Sequence, residues 1–180
     1  MKEERLYIVG YMASGKTTFG RALAEKTGWD FLDLDLEIER REGRSAAEII
    51  SSDGEARFRQ LESMVLKSTS AMKRTIIACG GGTPCHRDNM EFMTLHGMTL
   101  WLVASPERLA VRIIEGGQES RPLAAGKNRE ELLEFVTAHL RQRQPHYFKA
   151  AWRFSGENLE TAEEIESSVE KFLKEFSFIK

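Results

Sequence analysis

The chain has 180 residues, the usual size of one domain and long enough to bury a core without disulfides or metals. Its hydrophobic share of 41% is ordinary for a globular protein, and its formal net charge is −2, with no long run of either sign. This balance argues against a nucleic-acid partner. The N-terminal segment has the pattern of neither a signal peptide nor a membrane span, so we expect a cytoplasmic protein with reduced thiols and no membrane partner.

Short apolar runs alternate with longer helical patterns along the chain. This alternation is typical of a parallel sheet covered by helices on both faces. The predicted strands lie at residues 6–9, 31–34, 75–79, 99–103 and 152–155. The predicted helices lie at residues 14–25, 55–71, 86–96 and 129–143, with further helix starts near residues 45, 105 and 161. No repeat or linker divides the chain, so one domain over residues 1–180 is predicted.

Capping signals mark several of these helix starts. Ser45 with Glu48, and Thr161 with Glu164, have the spacing of a capping box. Pro106 occupies the first helical position of another helix. In the last helix, Ile165, Val169, Phe172 and Phe176 are predicted to share one face that packs on the core.

The strongest functional signal is GYMASGKT at residues 10–17, a full match to the phosphate-binding pattern GxxxxGK[ST]. The match follows a predicted strand and opens a predicted helix, where backbone N–H groups and the helix N-terminus attract phosphate. Lys16 is expected to reach the β- and γ-phosphates, and the Thr17 hydroxyl to bind Mg²⁺. A plain glycine turn is the alternative, but the strand–loop–helix context favours nucleotide binding.

Two carboxylates, Asp33 and Asp35, follow the second predicted strand. Residues two apart point to the same side of an extended strand, so both are expected at the sheet edge where α/β folds bind ligands. One would hold a water of the Mg²⁺ shell, and the other would accept a hydrogen bond from an acceptor hydroxyl. The alternative is the first turn of a helix, where Asp is favoured.

Cysteine, histidine and zinc chemistry are not predicted. Cys79 ends an apolar strand and is expected to be a small buried residue. Cys85 and His86 are adjacent without an indicated partner, and the four histidines lack metal-ligand spacing.

Ordered motifs cover nearly the whole chain: the phosphate loop, DLD at 33–35, GEARFR at 54–59 with Glu62, GGG at 80–82, RPL at 121–123 and RQPHY at 143–147. In this order and spacing, the sequence resembles the shikimate kinases. The resemblance implies a three-layer α/β/α fold of the P-loop NTPase type with a five-stranded parallel sheet. It also implies transfer of the γ-phosphate of ATP to the 3-hydroxyl of shikimate, with Mg²⁺ as cofactor, on the route to chorismate and the aromatic amino acids. A monomer is expected.

The resemblance also implies roles for single residues. Asp35 would bind the acceptor hydroxyls and act as base, within an acceptor-binding segment at about residues 33–62. Arg59 and Arg143 would clamp the shikimate carboxylate, as planar guanidinium groups do. Gly81 and Gly82 would offer backbone N–H groups at the ring. The alternatives are a solvated Arg59, an Arg143 that caps a helix, and glycines that only end a strand.

On the nucleotide side, residues 116–128 are predicted to form a lid, because they lack periodicity and are rich in Gly and polar residues. The implied metal ligands are Thr17 and, through water, Asp33. The implied catalytic residues are Lys16, Asp35 and Arg121, with Arg121 brought onto the phosphates by the lid. The implied ATP-binding residues are Ala13, Ser14, Gly15, Lys16, Thr17, Thr18 and Arg121.

The chain departs from the family pattern at three places. Ala13 replaces a glycine that is usual in this loop. Residues 113–114 are isoleucines where the family often has an arginine against adenine, with Arg112 slightly earlier, so no adenine-contacting residue is assigned. Residues 156–159, on the adenine side, are too divergent to map.

Two rival functions remain open. Gluconate also carries a carboxylate and hydroxyls, so a gluconate kinase of the same fold would use similar arginines. A non-catalytic ATP-binding module would not need Lys16, Asp35 and Arg121 together.

Overall fold

The computed structural model describes residues 4–117 and 125–176. Its sheet has five strands, all parallel, in the order β2-β3-β1-β4-β5. The strands are β1 (Arg5–Val9), β2 (Asp30–Asp33), β3 (Thr75–Ala78), β4 (Met98–Val103) and β5 (Trp152–Ser155). The predicted α/β class and five-stranded parallel sheet are therefore confirmed, and each predicted strand is found to within one residue at its ends.

Eight α-helices cover the sheet in the described parts of the chain. They are α1 (Lys16–Thr27), α2 (Leu34–Glu42), α3 (Ala46–Asp53), α4 (Glu55–Ser68), α5 (Asn89–His96), α6 (Pro106–Glu115), α7 (Arg129–Tyr147) and α8 (Ala162–Glu175). Both predicted capping boxes form, at Ser45 with Glu48 and at Thr161 with Glu164. None of the described helices is long and apolar enough to span a membrane.

Hydrophobic residues of β1 alternate between two cores. Tyr7 and Val9 pack on the side of α4, α5 and α7. Leu6 and Ile8 pack on the side of α1 and α8, where Phe172 is fully buried. Because successive strand residues point to opposite faces, a strand buried on both sides reads as a continuous apolar run.

Several predicted helix boundaries were wrong by a few residues. The helix predicted at 86–96 begins only at Asn89, because a 3₁₀ turn (Thr83–Cys85) comes first. The helix predicted at 55–71 ends at Ser68 and passes into a second 3₁₀ turn. α7 continues to Tyr147 instead of ending at 143, with Pro145 in its last turn. Helix ends are set by tertiary contacts as well as by local sequence, which is why they are the hardest part to predict.

Candidate active site

The phosphate loop connects β1 to α1, as the sequence predicted. Gly15 precedes the helix at φ 90°, in the left-handed region that favours glycine. The buried Lys16 Nζ lies 2.7 Å from the Tyr11 carbonyl oxygen and 3.5 Å from Ser14 Oγ, so the ammonium is folded over the loop. The loop backbone and the lysine thus surround one point at the N-terminus of α1, where a phosphate would be held.

Ala13 adopts φ 61°, which explains why related loops have glycine at this position. Its carbonyl oxygen accepts a hydrogen bond from Arg112 Nη1 at 3.4 Å. The substitution therefore keeps the loop conformation, at a backbone cost of about 1–2 kcal/mol for a left-handed alanine.

A cavity of about 550 Å³ extends from the phosphate loop toward α6 and the segment after β5. Its lining residues are Ala13, Gly15, Lys16, Thr17, Thr18, Arg112, Glu115, Gly116, Leu159 and Glu160. Arg112 donates to Glu160 Oε1 at 2.8 Å and to the Glu157 carbonyl at 3.1 Å. Arg112, Leu159 and Glu160 were not assigned from the sequence, because their roles depend on the approach of segments about 45 residues apart.

The carboxylates Asp33 and Asp35 are placed differently from the strand prediction, which was wrong on this point. Asp33 ends β2 and caps α2, with its Oδ1 accepting from the Asp35 N–H at 3.1 Å and the Leu36 N–H at 3.3 Å. Asp35 lies in the first helical turn, so the helix alternative describes the backbone correctly. Asp33 Oδ2 accepts from Thr17 Oγ1 at 2.7 Å, which joins the end of β2 to the phosphate loop.

The glycine triplet at residues 80–82 follows β3 and is the point where the acceptor-side residues meet. A Cβ built on Gly80 would lie 2.7 Å from Asp35 Oδ1. One on Gly81 would lie 3.5 Å from Arg143 Nη1, and one on Gly82 would lie 2.6 Å from Arg59 Nη1. A side chain at any of these positions would displace these groups. Glycine is therefore required because the neighbouring side chains come so close, and not because of the backbone dihedral angles.

Arg59 is oriented by two glutamates on its own helix, α4. Its Nη1 donates to Glu62 Oε2 at 2.8 Å, and its Nη2 donates to Glu55 Oε1 at 3.1 Å. Glu62 is fully buried and also accepts a hydrogen bond from the Thr83 hydroxyl. Arg59 is therefore held beside the glycine triplet and is not a solvated helix residue. The spacing of three between Arg59 and Glu62 was the sequence signal for this pair.

Arg143 lies on α7, within the helix and not at its end, so it does not act as a C-terminal cap. Its guanidinium carbon lies 5.8 Å from the centre of the Tyr11 ring. One turn later, the Tyr147 hydroxyl donates to the Gly81 carbonyl oxygen at 2.6 Å. The extension of α7 beyond its predicted end thus has a cause in this buried contact.

Asp35 has an unusual electrostatic environment. Burial, and after it the nearby carboxylates of Glu62 and Asp33, raise its pKa to about 6 against the opposing effect of Lys16 and Arg59. Its Oδ1 is buried and has no hydrogen-bond partner among the residues that the structure describes. A carboxylate with such a pKa and an unsatisfied oxygen is suited to accept a proton or a hydrogen bond from a ligand.

Other predictions can be checked against the described residues. Cys79 is buried, as expected, and burial raises its pKa well above the ordinary value. Within residues 4–117 and 125–176, no group of three or more His, Cys, Asp or Glu side chains is arranged to hold a metal ion. Arg121 and most of the predicted lid lie outside the described residues.

Comparisons with known proteins identify the family of this chain. A family model described as shikimate kinase matches residues 12–175. A shikimate kinase of Bacteroides thetaiotaomicron is 40% identical over 167 residues, covering 93% of this chain and 95% of that protein. The chain belongs to the shikimate kinase family. The family predicted from the ordered motifs is confirmed.

Solved structures of the family share the fold in detail. A crystal structure of the Bacteroides thetaiotaomicron shikimate kinase aligns with a TM-score of 0.90 at 38% identity, covering 95% of this chain and 97% of that one. The Acinetobacter baumannii shikimate kinase in complex with shikimate aligns with a TM-score of 0.81 at 31% identity, covering 97% and 93%. A gluconokinase from Sinorhizobium meliloti, at 14% identity and a TM-score of 0.50, shares the fold alone.

Proposed function

We propose that this member of the family transfers the γ-phosphate of ATP to the 3-hydroxyl of shikimate, giving shikimate 3-phosphate and ADP. The family match and the 40% identity over most of the chain support an ATP-dependent kinase that acts on shikimate. The geometric observation that carries the assignment of residues is the convergence of Asp35, Arg59 and Arg143 on the glycine triplet next to the phosphate loop.

Acceptor recognition would depend on the two arginines. Arg59 and Arg143 approach neighbouring glycines, Gly82 and Gly81, so both guanidinium groups can reach one carboxylate. A planar guanidinium binds a carboxylate through two parallel hydrogen bonds, which fixes the orientation of the acid as well as its position. The ring hydroxyls would then face Asp35, on the side of the triplet next to Gly80.

The chemistry would be an in-line transfer in which positioning and charge neutralisation supply most of the rate enhancement. Asp35 accepts the hydrogen bond, and then the proton, of the attacking hydroxyl. Lys16 lies at the phosphate loop and neutralises charge on the transferred phosphoryl group. The two groups act from opposite sides of the reaction, one on the acceptor and one on the nucleotide.

The Thr17 and Asp33 side chains fit a Mg²⁺ ion. Their oxygens are 2.7 Å apart at the phosphate loop, and oxygen is the ligand that Mg²⁺ prefers. Thr17 would bind the ion directly and Asp33 would hold one of its waters, an arrangement that needs no cluster of carboxylates because substrate phosphates and water complete the shell. Bound there, Mg²⁺ would neutralise phosphate charge.

We also retain the lid as a proposal. Residues 116–128 would close over the bound nucleotide and exclude water, because an open site would hydrolyse ATP. Arg121→Ala is expected to lower kcat at least tenfold with little change in either Michaelis constant, because the contact strengthens in the transition state. Steady-state kinetics of the folded variant, with Arg129→Ala as a control beyond the lid, would test this. A normal kcat would remove Arg121 from the mechanism.

The direct test of the function is an ADP-release assay with purified protein and MgATP. Shikimate, gluconate and a panel of nucleoside monophosphates serve as acceptors, and the phosphorylated product is identified by mass spectrometry and NMR. We expect turnover with shikimate alone and phosphate on the 3-hydroxyl. Turnover with gluconate but not shikimate would replace the proposal with the nearest rival, and binding of ATP without any turnover would favour a non-catalytic module.

We also propose that the protein is a cytoplasmic monomer, as its sequence leads us to expect. Analytical ultracentrifugation at micromolar concentration would test the monomer, and fractionation of cells would test the compartment.

A further inference from the structure

α7 carries a row of four side chains at intervals of four residues: Phe135, His139, Arg143 and Tyr147. Residues four apart lie on the same face of a helix, one turn above another. Tyr147 reaches the Gly81 carbonyl, and Arg143 lies by the same glycine. The proposed function therefore explains the acceptor-side end of the row, Arg143 and Tyr147, but it assigns no role to His139.

His139 contacts the phosphate loop. Its Nδ1 lies 2.9 Å from the hydroxyl oxygen of Tyr11, a residue that is 1% exposed. The two rings meet edge to face, with centroids 5.6 Å apart and planes at 86°. On its other side, the imidazole packs against Phe135 at a centroid distance of 5.2 Å. The histidine is therefore fixed between its own helix and the loop.

Tyr11 is placed to connect the two substrate sites. Its carbonyl oxygen accepts from the Lys16 ammonium at 2.7 Å, and its ring lies under the Arg143 guanidinium. A shift of the Tyr11 side chain would therefore displace the Arg143 guanidinium, whereas the backbone carbonyl of Tyr11 holds the Lys16 ammonium.

We propose that Tyr11 and His139 form a positioning pair that fixes α7, and with it Arg143, against the phosphate loop. The inference rests on the proposed function, in which Arg143 binds the acceptor carboxylate. The pair sets the distance between the acceptor site and the nucleotide site, because Tyr11 belongs to the phosphate loop and His139 to the helix that carries Arg143.

The protonation states suit this contact. Burial raises the pKa of Tyr11 to about 12, so its hydroxyl keeps the proton and can donate it. Burial and the neighbouring charge of Arg143 lower the pKa of His139, so the imidazole is neutral at neutral pH, and its tautomer with the proton on Nε2 accepts at Nδ1. Removal of the hydroxyl would leave this partly buried acceptor without its donor, which costs free energy.

The test compares shikimate and ATP constants in wild type, Tyr11→Phe and His139→Leu. Each variant should raise the shikimate KM and Kd about three- to tenfold, as expected for one buried hydrogen bond, with the ATP KM within twofold of wild type. The double variant should be no worse than the singles, because both remove one contact. His139→Asn retains an acceptor at the Nδ1 position and should restore part of the shikimate affinity.

Tyr7→Phe is the matched control. Tyr7 is equally buried, and its hydroxyl makes a 2.8 Å hydrogen bond to Thr69 away from the site. This variant should lower Tm without changing the shikimate constants. Unchanged shikimate constants in Tyr11→Phe, an equal effect in Tyr7→Phe, or a shift confined to ATP would overturn the inference. A wild type inactive on shikimate would instead overturn the proposed function, and this inference with it.

Discussion

Asp35 combines a buried oxygen that lacks a hydrogen-bond partner in the described part of the chain with neighbours of both charges. Glu62 and Asp33 favour its protonated form, whereas Lys16 and Arg59 favour the carboxylate. The resulting pKa of about 6 leaves the group ionised at neutral pH yet basic enough to take a proton from a hydroxyl during transfer. An Asp in an ordinary surface position would be a weaker base by about two pKa units.

Asp35 should therefore determine the acid limb of the pH–rate profile. We expect kcat/KM for shikimate to fall as pH decreases through about 6, because protonated Asp35 cannot act as base. Asp35→Asn should lower kcat by about 10²–10⁴-fold and leave ATP affinity close to wild type. Asp30→Asn, an exposed site on β2, is the control. A flat profile from pH 5 to 7.5, or normal turnover in folded Asp35→Asn, would contradict the role of Asp35.

Arg143 should not be replaceable by lysine. Lysine keeps the charge but loses the two parallel hydrogen bonds, so the shikimate KM is expected to rise about 10–100-fold. The ATP KM should stay within twofold, because the guanidinium faces the glycine triplet and not the nucleotide cavity. Arg141→Lys, at an exposed position two residues earlier, is the control. An increase in the ATP constant alone would place Arg143 on the nucleotide side.

At the scale of elements, the turn after β3 brings together the residues of the proposed acceptor site. Residues 80–82 receive Asp35 from α2, Arg59 from α4 and Arg143 from α7, and each approaches a different glycine. Helices that are distant in sequence thus place their side chains against one short stretch of backbone. A parallel sheet makes this possible, because its strands all end at the same edge.

Gly82→Ala should separate binding from folding at this turn. Gly82 has φ −93° and ψ −16°, which alanine tolerates, but its Cβ would lie 2.6–2.9 Å from the Arg59 guanidinium. The flexible arginine is expected to move away, raising the shikimate KM about tenfold with Tm within a few degrees of wild type. Calorimetry and steady-state kinetics check both. A normal shikimate KM would show that Arg59 is not needed at its present position.

Part of the fold and of the candidate site could be predicted from the sequence alone. The phosphate loop and the strands were predictable, because each is specified by neighbouring residues: glycines and Lys16 in one case, apolar runs in the other. The position of Asp35 was not, since a strand and the first turn of a helix both suit Asp-Leu-Asp, and only the cap formed by Asp33 decides between them.

Contacts between side chains of distant segments could not be predicted from local sequence patterns either. Tyr11 with His139, and Arg112 with Glu160, are separated by 128 and 48 residues. Tyr11 occupies a position of the phosphate-loop pattern that any residue can fill, and the other three residues belong to no motif, so the spacing does not mark these contacts. They become recognisable only when the fold has placed them at one site.

For the whole molecule, the high pKa of Asp35 carries a cost in stability. The folded protein binds this proton more tightly than the unfolded chain, whose Asp has a pKa of about 3.8. The free energy of unfolding therefore falls as pH rises from about 4 through 6, and the loss is complete above that range. With a difference of about two pKa units, it amounts to roughly 3 kcal/mol at neutral pH. The high pKa that suits Asp35 to its proposed role as a base therefore lowers the stability of the fold.

Asp35→Asn should consequently be the more stable protein at neutral pH, although we expect its kcat to be much lower. The variant cannot ionise at this position, so its advantage in unfolding free energy should grow by about 1–2 kcal/mol, a few degrees in Tm, between pH 5 and pH 7.5. Thermal unfolding of both proteins across this range measures the difference, with Asp30→Asn as the control that should show no such trend. A variant that is less stable at pH 7.5, or a difference independent of pH, would mean that the Asp35 carboxylate is stabilised by the fold, and its proposed use as a base would lose its physical ground.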